Sequence, residues 1–236
     1  WYAPYHQFNE ETWGIYFDSE KLDQFAHVIF EGLRDLKYGY YNSKIDPMEL
    51  AVHLAFGSVY AHEMFHAKVE AVISWLEITC SDARYLTFKK NVYDRLFLTK
   101  GCIEEALANW SSFEWVKTYA LQNRLEDVEI LLTCFKQNLD LSPPGYRDWR
   151  FGDKADYWRV FSTQIITGLP ECSNLSMPLP VPSLLKEPFP FHFVTADIPV
   201  RFVGQGMMAN AIQGQESNLP HISRKEFIKA LKYFGY

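Results

Sequence analysis

The apolar residues of this chain recur at helical spacing over most of its length, interrupted by short polar breaks. Leu22, Phe25, Ile29, Leu33 and Leu36 repeat three or four residues apart behind an Asp18-Ser19 cap, with Gly39 as the stop. Asp46-Pro47 then supplies the cap and first-turn residue of a second helix reaching to about Thr79. Val52, Leu54, Val59, Met64, Phe65, Val69, Val72, Ile73, Trp75 and Leu76 leave that helix almost no polar face, which predicts a place in the core. Further helices are predicted over 81–97, 102–121, 125–139 and 156–167, with Ser142-Pro143-Pro144-Gly145 breaking the last two apart.

Strand patterning is confined to the two ends. Residues 12–17, inside an aromatic opening segment, read as a strand, and 191–203, rich in Phe and Val, as one strand or a hairpin. Pro178, Pro180, Pro182, Pro188 and Pro190 forbid regular structure before it and predict an extended wrapping loop or linker. A short amphipathic helix is expected over 223–233, and no internal repeat is evident. The predicted fold is therefore mainly α (α+β): a helical domain with a small β element over 1–168, a Pro-rich linker over 169–190, and a small C-terminal β/α subdomain over 191–236.

Composition narrows the classes. With 236 residues, 48% of them hydrophobic and 17% aromatic, the chain can bury a substantial core, which excludes disorder as the default. A net charge of -6 and a basic run no denser than Lys89-Lys90 argue against a nucleic-acid surface. No uninterrupted apolar run reaches membrane-spanning length. Cys80, Cys102, Cys134 and Cys172 contain no C-x-x-C, which disfavours a thiolate zinc knuckle. Three of them fall in apolar helical segments, so buried free thiols in a reducing cytoplasm are expected rather than two disulfides. The opening Trp1 leaves a removed signal peptide as the alternative to that cytoplasmic expectation.

The chemistry sits in the second helix, where His62, Glu63, Met64, Phe65 and His66 spell H-E-x-x-H. Positions four apart share a helix face, so His62 and His66 can turn ring nitrogens to one ion, and Glu63 can reach a water beside it without being a ligand. Zinc accepts that geometry, and metal-assisted hydrolysis is the predicted chemistry. Zinc needs a third protein ligand, and 101–110, reading G-C-I-E-E-A-L-A-N-W, supplies one. Together the two segments resemble the gluzincin branch of the zincin metallopeptidases, in which a second helix carries a glutamate ligand followed four residues later by Asp or Asn. The resemblance covers about 47–120. It implies a zincin-like catalytic core, Zn2+ held by His62, His66 and Glu105, with Glu104 as the alternative third ligand, and Asn109 orienting a histidine through its other ring nitrogen. It also implies a peptide or protein substrate, with Glu63 as general base passing a proton to the leaving nitrogen. Tyr146, Arg147 and Tyr157 are the candidates for stabilising the oxyanion.

Rival readings are weaker. The residues after His66 hold no metzincin third histidine, and no second E-x-x-H exists to build a di-iron bundle. Glu70 continues the stripe of His62 and His66, but three ligands stacked at that spacing span about 12 Å, too far for one ion. His53 lies on another part of the helix surface, and His6, His27, His192 and His221 carry no spacing signal. Residues 222–236 resemble the opening helix of HicA-type toxin domains, which implies a toxin–antitoxin setting. The second functional expectation is a non-catalytic module that keeps a structural or vestigial zinc site and binds a partner protein, through its Pro-rich or C-terminal segment, in a setting such as a toxin–antitoxin pair.

Overall fold

A computed structural model describes residues 1–4, 13–38, 46–170, 185 and 198–203. The fold is mainly helical with a three-stranded sheet, an α+β arrangement. Strand β1 (Tyr2–Ala3) runs antiparallel to β2 (Gly14–Asp18), and β3 (Val200–Val203) lies parallel to β2 on its other side. Ile15 and Phe17 point inward, and Phe17 stacks on Phe56 of the second helix, which fixes the sheet to the helical body. Gly14 allows the close approach at the sheet's end: with φ at +143°, its missing Cβ would lie 2.4 Å from the Pro199 carbonyl oxygen. The predicted strand at 12–17 is thus β2, shifted by one or two residues. The two-residue β1 was not anticipated. Of the 191–203 prediction only the last residues are described, and they form β3; the Pro-rich 171–190 apart from Leu185, and the predicted helix over 223–233, lie outside the described residues.

Helix α1 (Ser19–Asp35) starts where Asp18 accepts the Lys21 N–H at 3.1 Å, and it buries the stripe Leu22, Ala26, Ile29 and Leu33. Helix α2 (Pro47–Cys80) is the spine. Asp46 accepts the N–H groups of Met48 and Glu49, Pro47 presets the first turn, and the helix ends where Ser81 turns left-handed. Its 34 residues extend about 50 Å, buried along most of that length and exposed over the last turn. The segment predicted as one helix over 81–97 is instead three short pieces: α3 (Tyr85–Phe88), a π-helical turn (Lys89–Tyr93) and α4 (Asp94–Leu96). After α5 (Ile103–Gln122) and α6 (Val128–Asp140), the Pro-Pro-Gly break leads into a 3-10 helix (Tyr146–Asp153) and α7 (Ala155–Thr167). Among the described residues no helix is long and apolar enough to cross a membrane.

Two hydrophobic clusters share α2 and α5. One gathers Ile15, Phe17, Leu54, Phe113, Val116 and Phe135; the other gathers Phe65, Val72, Ile73, Phe88, Leu107 and Phe161. Along α2 the first cluster comes first, and along α5 it comes second, so the two helices run antiparallel. Their contacts agree: Ser112 donates to the Ser58 carbonyl at 2.7 Å, His62 meets Asn109, and His66 meets Glu104. Small residues allow this approach. A Cβ on Gly57 would lie 1.9 Å from the Trp115 ring, so the indole of α5 occupies the space a side chain on α2 would need.

Cys80, Cys102 and Cys134 are free thiols; Cys102 and Cys134 are buried as expected, whereas Cys80 is exposed near the end of α2. Cys172 lies outside the described residues. Burial and the Glu105 and Glu104 carboxylates push the Cys102 thiol up to about 12, and burial pushes Cys134 up to about 11.

Two outcomes are expected. Gly57→Ala gains up to about 1 kcal/mol of helix propensity but forces the Trp115 ring out of its seat, which costs about 1–3 kcal/mol. Chemical denaturation should therefore show a net loss of stability; a gain would mean that Trp115 swings away freely. In thiol labelling at pH 8 read by peptide mapping, Cys80 should react at least about a hundredfold faster than Cys102 and Cys134.

Candidate metal centre

The antiparallel contact of α2 and α5 places H-E-x-x-H against the E-E-x-x-x-N stretch. His62, His66 and Glu105 converge, with one ligand-capable atom each lying within 4.8 Å of the others. The Nε2 atoms of His62 and His66 are 3.2 Å apart, and Glu105 Oε2 is 3.2 Å from the first and 3.5 Å from the second.

Each imidazole is held from behind by an acceptor. His62 Nδ1 lies 2.9 Å from Asn109 Oδ1, and the Asn109 amide is oriented by donating its Nδ2–H to the Tyr146 carbonyl at 3.1 Å. His66 Nδ1 lies 2.6 Å from Glu104 Oε1. A histidine that donates Nδ1–H backwards presents the Nε2 lone pair forwards. Glu105 Oε2, facing the two Nε2 atoms, is buried with no hydrogen-bond partner among the described residues. Such a group suits a positive charge at its centre, either a metal ion or a proton carried by His66.

The spacing can be compared with the coordination of common ions. Zinc bonds of 2.0–2.1 Å in a tetrahedron separate neighbouring ligand atoms by about 3.3–3.4 Å. An octahedral ion with bonds of similar length separates them by about 2.9–3.0 Å. At 3.2, 3.2 and 3.5 Å from one another the three atoms are spaced so that one metal ion could touch all of them, and two nitrogens with one oxygen are a donor set that suits zinc among other transition metals.

Charge follows the same pattern. Burial alone would raise the Glu105 carboxyl, yet the two imidazoles opposite hold it well below the usual carboxylate range. Burial alone would lower His66, yet the Glu105 and Glu104 carboxylates push it well above the usual histidine value.

A residue that sequence reasoning missed completes the support. Tyr93 Oη donates to Glu105 Oε1, the oxygen turned away from the histidines. Burial, then the Glu105 and Glu104 carboxylates, raise the Tyr93 hydroxyl and keep it protonated as a donor. Tyr93 closes the π-helical turn, whose extra residue shifts its phase relative to an ordinary helix, so no helical periodicity could have pointed to it.

The other predicted residues separate clearly. Glu104 is the support of His66, and the converging carboxylate is that of Glu105. Glu63 lies beside the trio without joining it: its side chain is 13% exposed and borders an open cavity of about 200 Å³, and the Trp1 amino group is 3.7 Å from its carboxylate. Tyr146 lines the same cavity and lies flat on His62, ring centroids 5.8 Å apart. Burial and then the Glu105 carboxylate raise its hydroxyl, so it too stays protonated. Arg147, its neighbour in the 3-10 helix, points elsewhere, donating Nε–H to the Ser142 carbonyl. Tyr157 packs in the second cluster and does not line the cavity. Glu70 is buried and accepts from Tyr2 Oη, outside the trio. His53 and His27 each face a backbone carbonyl of their own helix, and His6, His192 and His221 lie outside the described residues.

Comparison with known protein families, curated proteins and solved structures finds no match to this chain. The candidate metal centre therefore rests on geometry and donor chemistry.

In metal titrations against a chromophoric chelator, Glu105→Ala should lose zinc altogether, while Glu104→Ala and Tyr93→Phe should weaken binding by about 10–100-fold. Loss of zinc in Glu104→Ala with retention in Glu105→Ala would move the ligand by one residue.

Proposed function

We propose that this protein is a zinc-dependent metallopeptidase, with His62, His66 and Glu105 holding the ion and Glu63 acting as general base. The observation that carries the reading is the division of labour among three carboxylates. All three line the same open cavity, where Glu105 converges with the histidines and Glu104 supports His66, while Glu63 takes part in neither contact. A purely structural zinc site is closed and has no use for a base at its edge.

When bound, zinc supplies Lewis acidity for a carbonyl and lowers the pKa of a water towards neutrality. Glu63 takes the proton of the attacking water and hands it to the departing amide nitrogen, which leaves as an amine. Tyr146, protonated and facing the same cavity, is suited to donate to the oxygen on which negative charge develops. Asn109, Glu104 and Tyr93 keep the three ligand atoms aimed at one point, so that little reorganisation is needed during the reaction. The free thiols suit a reducing compartment such as the cytoplasm.

Glu63→Gln should keep zinc content and fold while lowering peptide hydrolysis by about 10²–10⁴-fold. Tyr146→Phe should lower it by about 10²–10³-fold, again with zinc retained. The measurement is cleavage of a broad peptide library alongside elemental analysis, and equal activity in wild type and Glu63→Gln would remove the role assigned to that carboxylate.

A further inference from the structure

A second open cavity, of about 250 Å³, begins at His62 and Glu63 and extends towards α1 and α6. We propose that it receives one uncharged, apolar side chain of the peptide that is cut, an inference that rests on the hydrolase reading above. Because His62 and Glu63 border both cavities, a carbonyl positioned for attack near Glu63 leaves a neighbouring side chain at the mouth of the second one.

The walls define what fits. Phe25 of α1, Val59 of α2, and Phe135 and Leu139 of α6 supply carbon. Four of the polar wall groups donate into the fold, Asn109 through its Nδ2–H to the Tyr146 carbonyl at 3.1 Å, and Ser142 adds a hydroxyl at the loop edge. Ser58 Oγ donates to the Ala55 carbonyl at 3.1 Å, Ser112 Oγ to the Ser58 carbonyl at 2.7 Å, and Asn138 Nδ2 to the Cys134 carbonyl at 3.1 Å. Apart from His62 and Glu63 at the shared rim, no ionisable side chain lines the cavity among the described residues. An acidic side chain would meet Glu63 and no cation, and a basic one would find no carboxylate deeper in. Size points the same way: an apolar cavity of about 150 Å³ admits benzene, so this one has room for Leu, Met or Phe. The first cavity differs, being lined by Lys89, Glu104 and several tyrosines, so the two sides of the scissile bond are read by different chemistry.

The test uses the full chain loaded with zinc and amino-acid hydroxamates that share one chelating group and differ only in side chain. By calorimetry the Leu and Phe compounds should bind at least about tenfold tighter than the Gly, Asp and Lys compounds. Val59→Phe and Ser142→Phe, which fill the cavity from a helix and from a loop, should erase that preference with zinc content unchanged. Should Val59→Phe disturb α2, Ser142→Phe carries the comparison. Equal affinities across the series, or a preference that survives filling, overturn the pocket while leaving the hydrolase reading intact. Protein that takes up no zinc overturns both. Selective binding without cleavage of any peptide supports the side-chain class and overturns the hydrolase reading.

Discussion

Two imidazoles and a carboxylate face one another across the contact of α2 and α5. His62 and His66 turn their Nδ1 atoms backwards to Asn109 and Glu104, and Glu105 brings a buried carboxylate oxygen between their Nε2 atoms, where a positive charge, from a metal ion or from a proton on His66, would be held. Burying that arrangement without a cation would cost several kcal/mol. The surrounding structure nevertheless enforces it from every side, through Asn109 and its anchor on Tyr146, through Glu104, and through Tyr93.

What enforces it in turn is packing. The trio lies where the two hydrophobic clusters meet, so neither helix can slide without opening one of them. Gly57 beneath Trp115 and the Ser58–Ser112 hydrogen bond set the register one turn away from His62. A shift of α5 by one residue would bring Glu104 to the position of Glu105 and turn Asn109 away from His62. The core thus sets which carboxylate can act as ligand, although its residues have no chemistry of their own.

The sequence was most legible where one helix suffices. Asp46-Pro47 marks the start of α2, and the spacing of His62 and His66 puts both on one face, both readable from local rules. The choice between Glu104 and Glu105 could not be read that way, since adjacent residues differ by about 100° around a helix and only the partner's register tells which faces the histidines. Tyr93 was invisible because a π turn obeys no apolar pattern. Tyr146, Arg147 and Tyr157 looked equivalent as neighbours in the chain, yet the 3-10 helix turns one ring onto His62 and the next side chain outward. Strand β1 is too short for alternation to be seen at all.

The Glu104 contact on His66 also bears on which ions the site can discriminate. It places a second buried carboxylate one ring away from the Glu105 oxygen, so two negative charges lie within the protein interior. A divalent ion balances both. A monovalent ion leaves one charge uncompensated, and a trivalent one leaves an excess of the opposite sign, each a charge held in a medium that solvates it poorly. In a metal centre built on these residues, Glu104 would favour a divalent ion without touching it.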